Sequence, residues 1–317
     1  TINSEQVIDL RNLNDMTSII KKVYRRITDW KWNIALCDTP VDELIAGKPL
    51  RARWLRHNYT DRWFADPFIL YAYDNEVHFL VEEYTYKDKT GRIARLVADR
   101  RTMELKSRHT VLELDSHLSF PAILRQGDDI YIYPENGKGR GLCLYSYDPA
   151  SDTCREVRQL SERPLADAII CDIDGRRYML TTAIPLHNGS QLEVHAVEDD
   201  KATLLQTVNF DRDIARNAGA VFKTGCRYYR PAQESTPDEY GVAVSLQEIS
   251  VGEDGKLSFR EVAVLRSPLR SLDLGFHTFN VGHGLIVVDA KGYRHPAIAR
   301  PLRSLAQTCK RILKSKA

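Results

Sequence analysis

The chain has 317 residues, 43% of them apolar and 28% charged, with a formal net charge of +2. This composition supports a substantial buried core and excludes a disordered or fibrous chain. Lys/Arg are interspersed with Asp/Glu, which leaves no general basic face, so no nucleic-acid partner is expected. Cys37, Cys143, Cys154, Cys171, Cys226 and Cys309 are scattered without a CxxC pair and read as reduced core residues. No apolar run of signal-peptide type follows a basic start, and no stretch approaches the roughly 20 apolar residues of a membrane-spanning helix, which predicts a cytoplasmic protein. The triplets Asn58-Tyr-Thr60 and Asn188-Gly-Ser190 match the glycosylation sequon but carry little weight without a secretory signal.

Along the chain, residues 1–30 read as a leading helix or linker, with Leu10, Leu13, Met16, Ile19, Ile20 and Val23 at roughly helical spacing. Strand-like runs follow at Trp32–Cys37 and Leu50–His57. A repeat then begins. Five segments share one position preceding or opening a short apolar strand: Asp66 in Phe64–Leu70, Phe120 in Leu118–Leu124, Asp167 in Leu165–Ile170, Ala218 in Arg216–Phe222 and His277 in Gly275–Asn280. These positions lie 54, 47, 51 and 59 residues apart. Each is followed by a turn rich in Asp, Asn or Gly and a second alternating strand (Glu76–Tyr84, Asp129–Asn136, Arg176–Ala183, Cys226–Gln233, Gly284–Ala290), and most units supply a third and a more polar fourth.

Four antiparallel strands in each of five units specify an all-β fold, a five-bladed β-propeller, over residues 31–292. The last unit is short of strands, so the two N-terminal strands are expected to complete it. A β-sandwich with coincidental spacing is the alternative, but sandwich strands do not usually come in homologous quartets. Residues 293–317 differ from the rest, with seven Lys/Arg and no Asp/Glu. They read as a basic amphipathic helix, and residues 298–317 could meet an anionic membrane surface peripherally or pack on the propeller with solvated lysines.

Residues opening the inner strands of a propeller converge at one mouth. Here they are Asp66, Asp167, Arg216, Asn217 and His277, with Ser119 close by; Glu82, Glu83, Glu135, Arg230, Gln233 and Glu234 end the second strands near the same region. Carboxylates with arginines and amides suit sugars, because hydroxyls take directional hydrogen bonds and an oxocarbenium-like transition state is favoured by nearby negative charge. Each residue also has a structural reading: Asp66 could bond local amides, Glu83 and Glu135 could bond neighbouring blades, and Arg216, Arg230 and Gln233 could be their partners. His277, His283 and His295 lack the spacing and companions of a zinc site, Asn136–Gly141 joins two strands rather than opening a helix, and no nucleophile elbow occurs. Neither a metal nor a cofactor is called for.

The motifs Trp32-Asn-Ile-Ala35, Phe64-Ala-Asp-Pro-Phe68, Val81-Glu-Glu83, Ser119-Phe-Pro121, Tyr133-Pro-Glu135, Ala166-Asp167, Arg216-Asn-Ala-Gly219, Arg230-Pro-Ala-Gln233 and Tyr240-Gly241, in this order, resemble the N-terminal propeller domain of glucosamine inositolphosphorylceramide transferases, a domain that also occurs in bacterial polysaccharide-synthesis proteins. The likeness runs from about residue 30 to 290. That domain is similar in turn to the five-bladed propellers of family 43 and family 32 glycoside hydrolases. The resemblance implies Asp66 as base or nucleophile and Asp167 as a second carboxylate that orients substrate or tunes a pKa. Those hydrolases open a later inner strand with a general-acid Glu, whereas here the fourth unit opens with Arg216-Asn217 and the fifth with His277. Glu135 or Glu83 would have to substitute.

The sequence therefore predicts a carbohydrate-active, glycosidase-like propeller acting on a glycan or glycoconjugate. Its expected acids are Asp66, Asp167 and Glu135, and its expected binding residues are Glu83, Ser119, Arg216, Asn217, Arg230, Gln233 and His277. The alternative is a non-catalytic glycan- or glycolipid-binding module that serves a glycosyltransferase partner in polysaccharide or glycolipid synthesis.

Overall fold

The structure is a computed structural model, and it describes residues 27–137, 139–183, 189–237 and 239–302. The N-terminal helix expected within residues 1–30 and most of the C-terminal helix lie outside the described residues; residues 296–302 are helical. Residues Trp32–Lys291 form one compact unit, and the described residues that flank it, 27–31 and 292–302, belong to another. In the second of these, Arg294 N–H donates to the Asp29 carbonyl at 2.8 Å. Among the described residues no helix is long and apolar enough to cross a membrane.

The propeller begins with β1 (Trp30–Cys37), a one-turn helix α1 (Val41–Ile45) and β2 (Ala52–Trp54). Blade one is β3 (Arg62–Ala72), β4 (Glu76–Thr85), β5 (Gly91–Asp99) and β6 (Leu105–Leu112). Blade two is β7 (Ser119–Gln126), β8 (Asp129–Glu135), β9 (Leu142–Asp148) and β10 (Thr153–Ser161). Blade three is β11 (Leu165–Ile173), β12 (Arg176–Ala183), β13 (Gln191–Glu198) and β14 (Lys201–Asn209). Blade four is β15 (Phe222–Thr224), β16 (Arg227–Glu234), β17 (Ala243–Val251) and β18 (Leu257–Leu265), and β19 (Phe279–Gly282) and β20 (Leu285–Tyr293) start blade five. The last sheet has the order β19-β20-β1-β2, so the first strands of the propeller supply its outer half and pair with the last ones.

Position in the blade dictates composition. The inner strand β3 is buried along most of its length, whereas the outer strands β10 and β14 are mostly exposed and polar. The first hairpin of blades two to five turns at Gly127, Gly175, Gly225 and Gly284, all with φ between +58° and +78°. A side chain there would meet no steric obstacle, so the glycine answers to backbone conformation alone.

The apolar core is divided among the blade interfaces. Ile34 and Leu36 of blade five pack with Phe64 and Phe79 of blade one, and Leu80 and Ile93 of blade one pack with Ile130 and Tyr145 of blade two. Phe120 and Tyr133 meet Leu165 and Met179. Leu180 and Val194 meet Ile249 and Leu257 of blade four, and Val244 and Leu246 meet Phe279 and Val288 of blade five. A single blade leaves both faces bare, so the fold is stable only as a closed ring. Among the described residues all cysteines are free thiols; Cys143 is buried as expected of a core residue, but Cys226 lies exposed in the β15–β16 turn.

Closure has a polar counterpart. Asp289 on β20 is fully buried, and its carboxylate accepts the Asp66 N–H of blade one at 3.0 Å and the His277 and Thr278 N–H groups at 3.2 and 2.9 Å. Asp289→Ala would leave three buried amides without an acceptor. Urea unfolding should show a loss of about 3–5 kcal/mol, with Asp289→Asn losing less; a loss under about 1 kcal/mol would mean that the clasp is dispensable.

Candidate functional site

Asp66, Phe120 and Asp167, equivalent in the repeat, all adopt left-handed backbone, with φ of +50°, +48° and +45°. Each sits in a β-bulge where its inner strand slips against the second strand, between Ala65 and Phe68, Ser119 and Ala122, and Ala166 and Ile169. The conformation costs a non-glycine residue energy, and for Phe120 there is no side-chain compensation. What holds it is a repeated hydrogen bond. The N–H of each bulge residue is received by a carboxylate of the preceding blade: Asp66 N–H by Asp289 at 3.0 Å, Phe120 N–H by Asp66 at 3.0 Å and Asp167 N–H by Glu135 at 3.1 Å.

Two clusters grow on this frame. In the first, Asp66 Oδ1 accepts the Thr278 hydroxyl at 2.9 Å and lies 3.5 Å from His277 Nε2, while His277 Nδ1 is 2.9 Å from Asp289. The Trp32 ring stacks on His277 at 3.9 Å. Burial pushes the Asp66 carboxyl up, opposed by His277 and reinforced by Asp289 and Asp167. Burial also disfavours His277 as a cation, but Asp289 and Asp66 outweigh it and raise its pKa. Asp66, His277 and Asp289 bring ligand-type atoms within 4.8 Å of one another. Asp289, however, already receives three amides and the imidazole, so hydrogen bonding accounts for the trio without an ion.

In the second cluster Arg216 donates through Nε to Asp167 Oδ2 and through Nη2 to Glu135 at 3.0 Å, and Gln233 Nε2 donates to Asp167 Oδ2 at 2.8 Å. The opposite end of that amide, Gln233 Oε1, is buried without a hydrogen-bond partner. Burial drives the Asp167 carboxyl up to about 7; Arg216 pulls it down and Glu135 pushes it further up. Tyr240 joins the clusters, its ring edge-on to His277 at 5.5 Å and facing the Arg216 guanidinium at 5.3 Å. The adjoining Gly241 has φ +62°, and a Cβ there would come within 2.7 Å of His277 Cβ, so the close approach requires glycine.

Of the residues expected from sequence, Asp66, Asp167, Glu135, Arg216, Gln233 and His277 are brought together in these two clusters. Asn217 lies behind them, its amide donating to the carbonyls of Asp167 and Leu180 at 2.8 and 2.9 Å. Ser119 is buried beside them, opposite Glu135 in the strand register. Two residues stand apart. Arg230 is wholly buried and donates to Asn217 Oδ1, Gln247 Oε1 and the Ile214 and Ala215 carbonyls, a bracket for the backbone that presents Arg216. Glu83 is ringed by Arg62, Arg92 and Arg108, away from the axis. Its neighbour Glu82 is the residue that turns inward, 3.3 Å from His117 and raised by burial with a further push from Asp66. Successive strand residues face opposite ways, and that parity separates the two glutamates.

Asp289, Thr278, Tyr240 and Trp32 were not singled out by residue chemistry. Asp289 had a visible signal as the lone acid in the apolar run Leu285–Ala290. Tyr240 stood beside an unusual glycine.

Five blades of four antiparallel strands, with acids on the inner strands, define a propeller of glycoside-hydrolase type in fold. The solved structures similar to it include a GH43 β-xylosidase/α-arabinofuranosidase from a compost microbial metagenome, at 13% identity and a TM-score of 0.52 over 74% of this chain and 91% of that one. An α-L-arabinofuranosidase from Lactobacillus brevis matches at 14% identity and a TM-score of 0.50, over 70% of this chain and 80% of that one. The family model for glucosamine inositolphosphorylceramide transferase 1, N-terminal, matches residues 51–273, and the chain belongs to that family. The glucosamine inositolphosphorylceramide transferase 1 proteins of Oryza sativa, subspecies indica and japonica, are each 27% identical to it over 204 residues, 60% of this chain. The matched stretch spans 27% of the length of those rice proteins.

The raised Asp167 has a consequence for stability. Its folded pKa of about 7 exceeds the ordinary 3.8, so its contribution is fully present below about pH 4 and is lost as pH rises through 7, at about 1 kcal/mol per pH unit between. Melting temperatures between pH 5 and 8 should fall more steeply for the wild type than for Asp167→Asn. Equal slopes would place the Asp167 pKa near its ordinary value.

Proposed function

We propose that the chain is a carbohydrate-binding propeller that serves the synthesis of a glycan or glycolipid, with the sugar taken at the mouth where Asp66 and Glu135 stand. The observation that carries this reading is the double engagement of Arg216 by Asp167 and Glu135. Glycosidic hydrolysis needs a carboxylic acid free to protonate the leaving oxygen, across the bond from a second carboxylate. Here both candidate donors are held by one buried guanidinium. Binding asks less, because hydroxyls need directional acceptors, and Glu135, the more exposed of the acids with 16% of its side chain accessible, offers them.

Charge supports a polyhydroxyl ligand over an anionic one at this mouth. Glu82, Asp66, Asp167, Glu135 and Asp289 outnumber Arg216, His277 and His117, and the arginine is already paired. The rice relatives bear the name of transferases, and the stretch shared with them is about a quarter of their length. By that likeness the propeller holds a glycoconjugate for transferase chemistry housed elsewhere, which makes a glycosyltransferase the expected partner.

Glycosidase action is the second reading, favoured by the Asp167 carboxyl standing at about 7, a value suited to proton transfer at neutral pH. A glycan array and a hydrolysis screen, run with wild type, Asp66→Asn and Asp167→Asn, separate the two. Binding without turnover, weakened about tenfold in Asp66→Asn, is the expected result. Turnover abolished by either substitution would establish the enzyme instead, and binding equal in all three proteins would remove the sugar from this mouth.

A further inference from the structure

The inner strands run past the acid clusters to a second opening. Arg125 lies five residues beyond Phe120 on β7, roughly 16 Å along the strand at about 3.3 Å per residue. There a cavity of about 550 Å³ is lined by residues from all five blades, among them Ile69, Arg125, Asp172, Lys223, Tyr228 and His283. Its electrostatics are the reverse of the acid mouth. Arg125 reaches the Leu70 carbonyl and lies 3.3 Å from His283 Nε2, with its guanidinium 5.8 Å from the Tyr71 ring centroid. Lys223 Nζ lies 3.4 Å from the Tyr228 hydroxyl and 4.7 Å from the centre of that ring. Among the described residues neither Arg125 nor Lys223 makes an ion pair. The acid in the lining, Asp172, is engaged by Arg177 through two bonds of 2.8 and 2.9 Å, which offsets its charge.

Cations in a concave site without counter-charges repel one another and gain strongly from a shared anion. Arg95, one blade away, is met by the Asp152 carboxylate, whereas Arg125 faces a carbonyl and an imidazole. Beyond those contacts the set leaves the Arg125 Nε and Nη1 donors, a flexible ammonium and a phenol hydroxyl, contributed by blades two and four. A carboxylate has two oxygens to share between the guanidinium and the ammonium, whereas a tetrahedral oxyanion presents three or more and can also reach the phenol hydroxyl. We propose that this second mouth binds a phosphate monoester, independently of the sugar at the acid mouth. The phosphate could be carried on a small soluble molecule or on a lipid headgroup, and the cavity chemistry is common to both.

Titration calorimetry at low ionic strength with inorganic phosphate and with a hexose 1-phosphate tests the soluble source. Co-sedimentation with phosphatidylcholine vesicles containing phosphatidic acid, against phosphatidylcholine alone, tests the lipid source. The wild type should bind in at least one arm, and the arm that responds identifies the source. Lys223→Gln should weaken that binding about tenfold, and Arg125→Gln/Lys223→Gln should abolish it. Lys223 is exposed, so its substitution alone leaves folding intact. Glycan binding at the acid mouth should be unchanged in Lys223→Gln. Absence of saturable binding below roughly 10 mM in either soluble arm together with no vesicle response, or equal binding by wild type and Lys223→Gln, would overturn the assignment.

Discussion

The backbone amides of the inner bulges need acceptors, and the preceding blade supplies them as carboxylates. Asp289 serves blade one, Asp66 serves blade two and Glu135 serves blade three. A buried N–H without a partner is costly, and a left-handed non-glycine residue adds strain, so each joint is held only while its acid is in place. The apolar core obeys the same logic, because every cluster straddles two blades and no blade can close on itself. Polar joints near the axis and apolar interfaces farther out therefore lock together. Blades four and five depart from the pattern: neither Ala218 nor His277 is left-handed, Asn217 meets blade three through its side-chain amide, and the His277 N–H is received by Asp289 of its own blade. The buried bracket of Arg230 supports blade four instead.

On the proposed reading the inner acids have two duties. An acid that holds an amide with one lone pair retains another, and the geometry that fixes a bulge also fixes the acceptor for a ligand. Preorganisation of this kind favours recognition, since no side chain needs to be ordered when a sugar arrives. It works against acid–base chemistry at Glu135, where protonation weakens the ion pair with Arg216 and loosens the joint to blade three. The chain thus shares the scaffold of a family 43 hydrolase, and its fourth blade opens with Arg216-Asn217.

Much of the architecture was legible because propellers repeat. Spacing between Asp66, Phe120, Asp167, Ala218 and His277, together with hairpin turns at Gly127, Gly175, Gly225 and Gly284, is local information that a single sequence contains. The shortage of strands after Leu285 likewise pointed to Trp32–Cys37 as the missing partner. Contacts between blades were less accessible. Glu82 and Glu83 differ by one residue, and only the pleat decides that Glu82 faces Asp66 while Glu83 is sealed among three arginines. Arg230 carries the same chemistry as Arg216 but points into the blade rather than the axis. Asp289 and Tyr240 matter because of what lies across the ring from them, and sequence separation of more than 200 residues between Asp66 and Asp289 hides that relation.

The central claim is that the ring of joint-forming acids is also a sugar site. A crystal structure of the protein with an oligosaccharide selected by glycan array tests it most directly. The account predicts a sugar ring whose hydroxyls lie within hydrogen-bond distance of Glu135 and Asp66, with the Arg216 bridge to Asp167 and Glu135 intact. A sugar seated elsewhere, or a glycosidic oxygen lodged between Asp66 and a carboxyl released from Arg216, would contradict it.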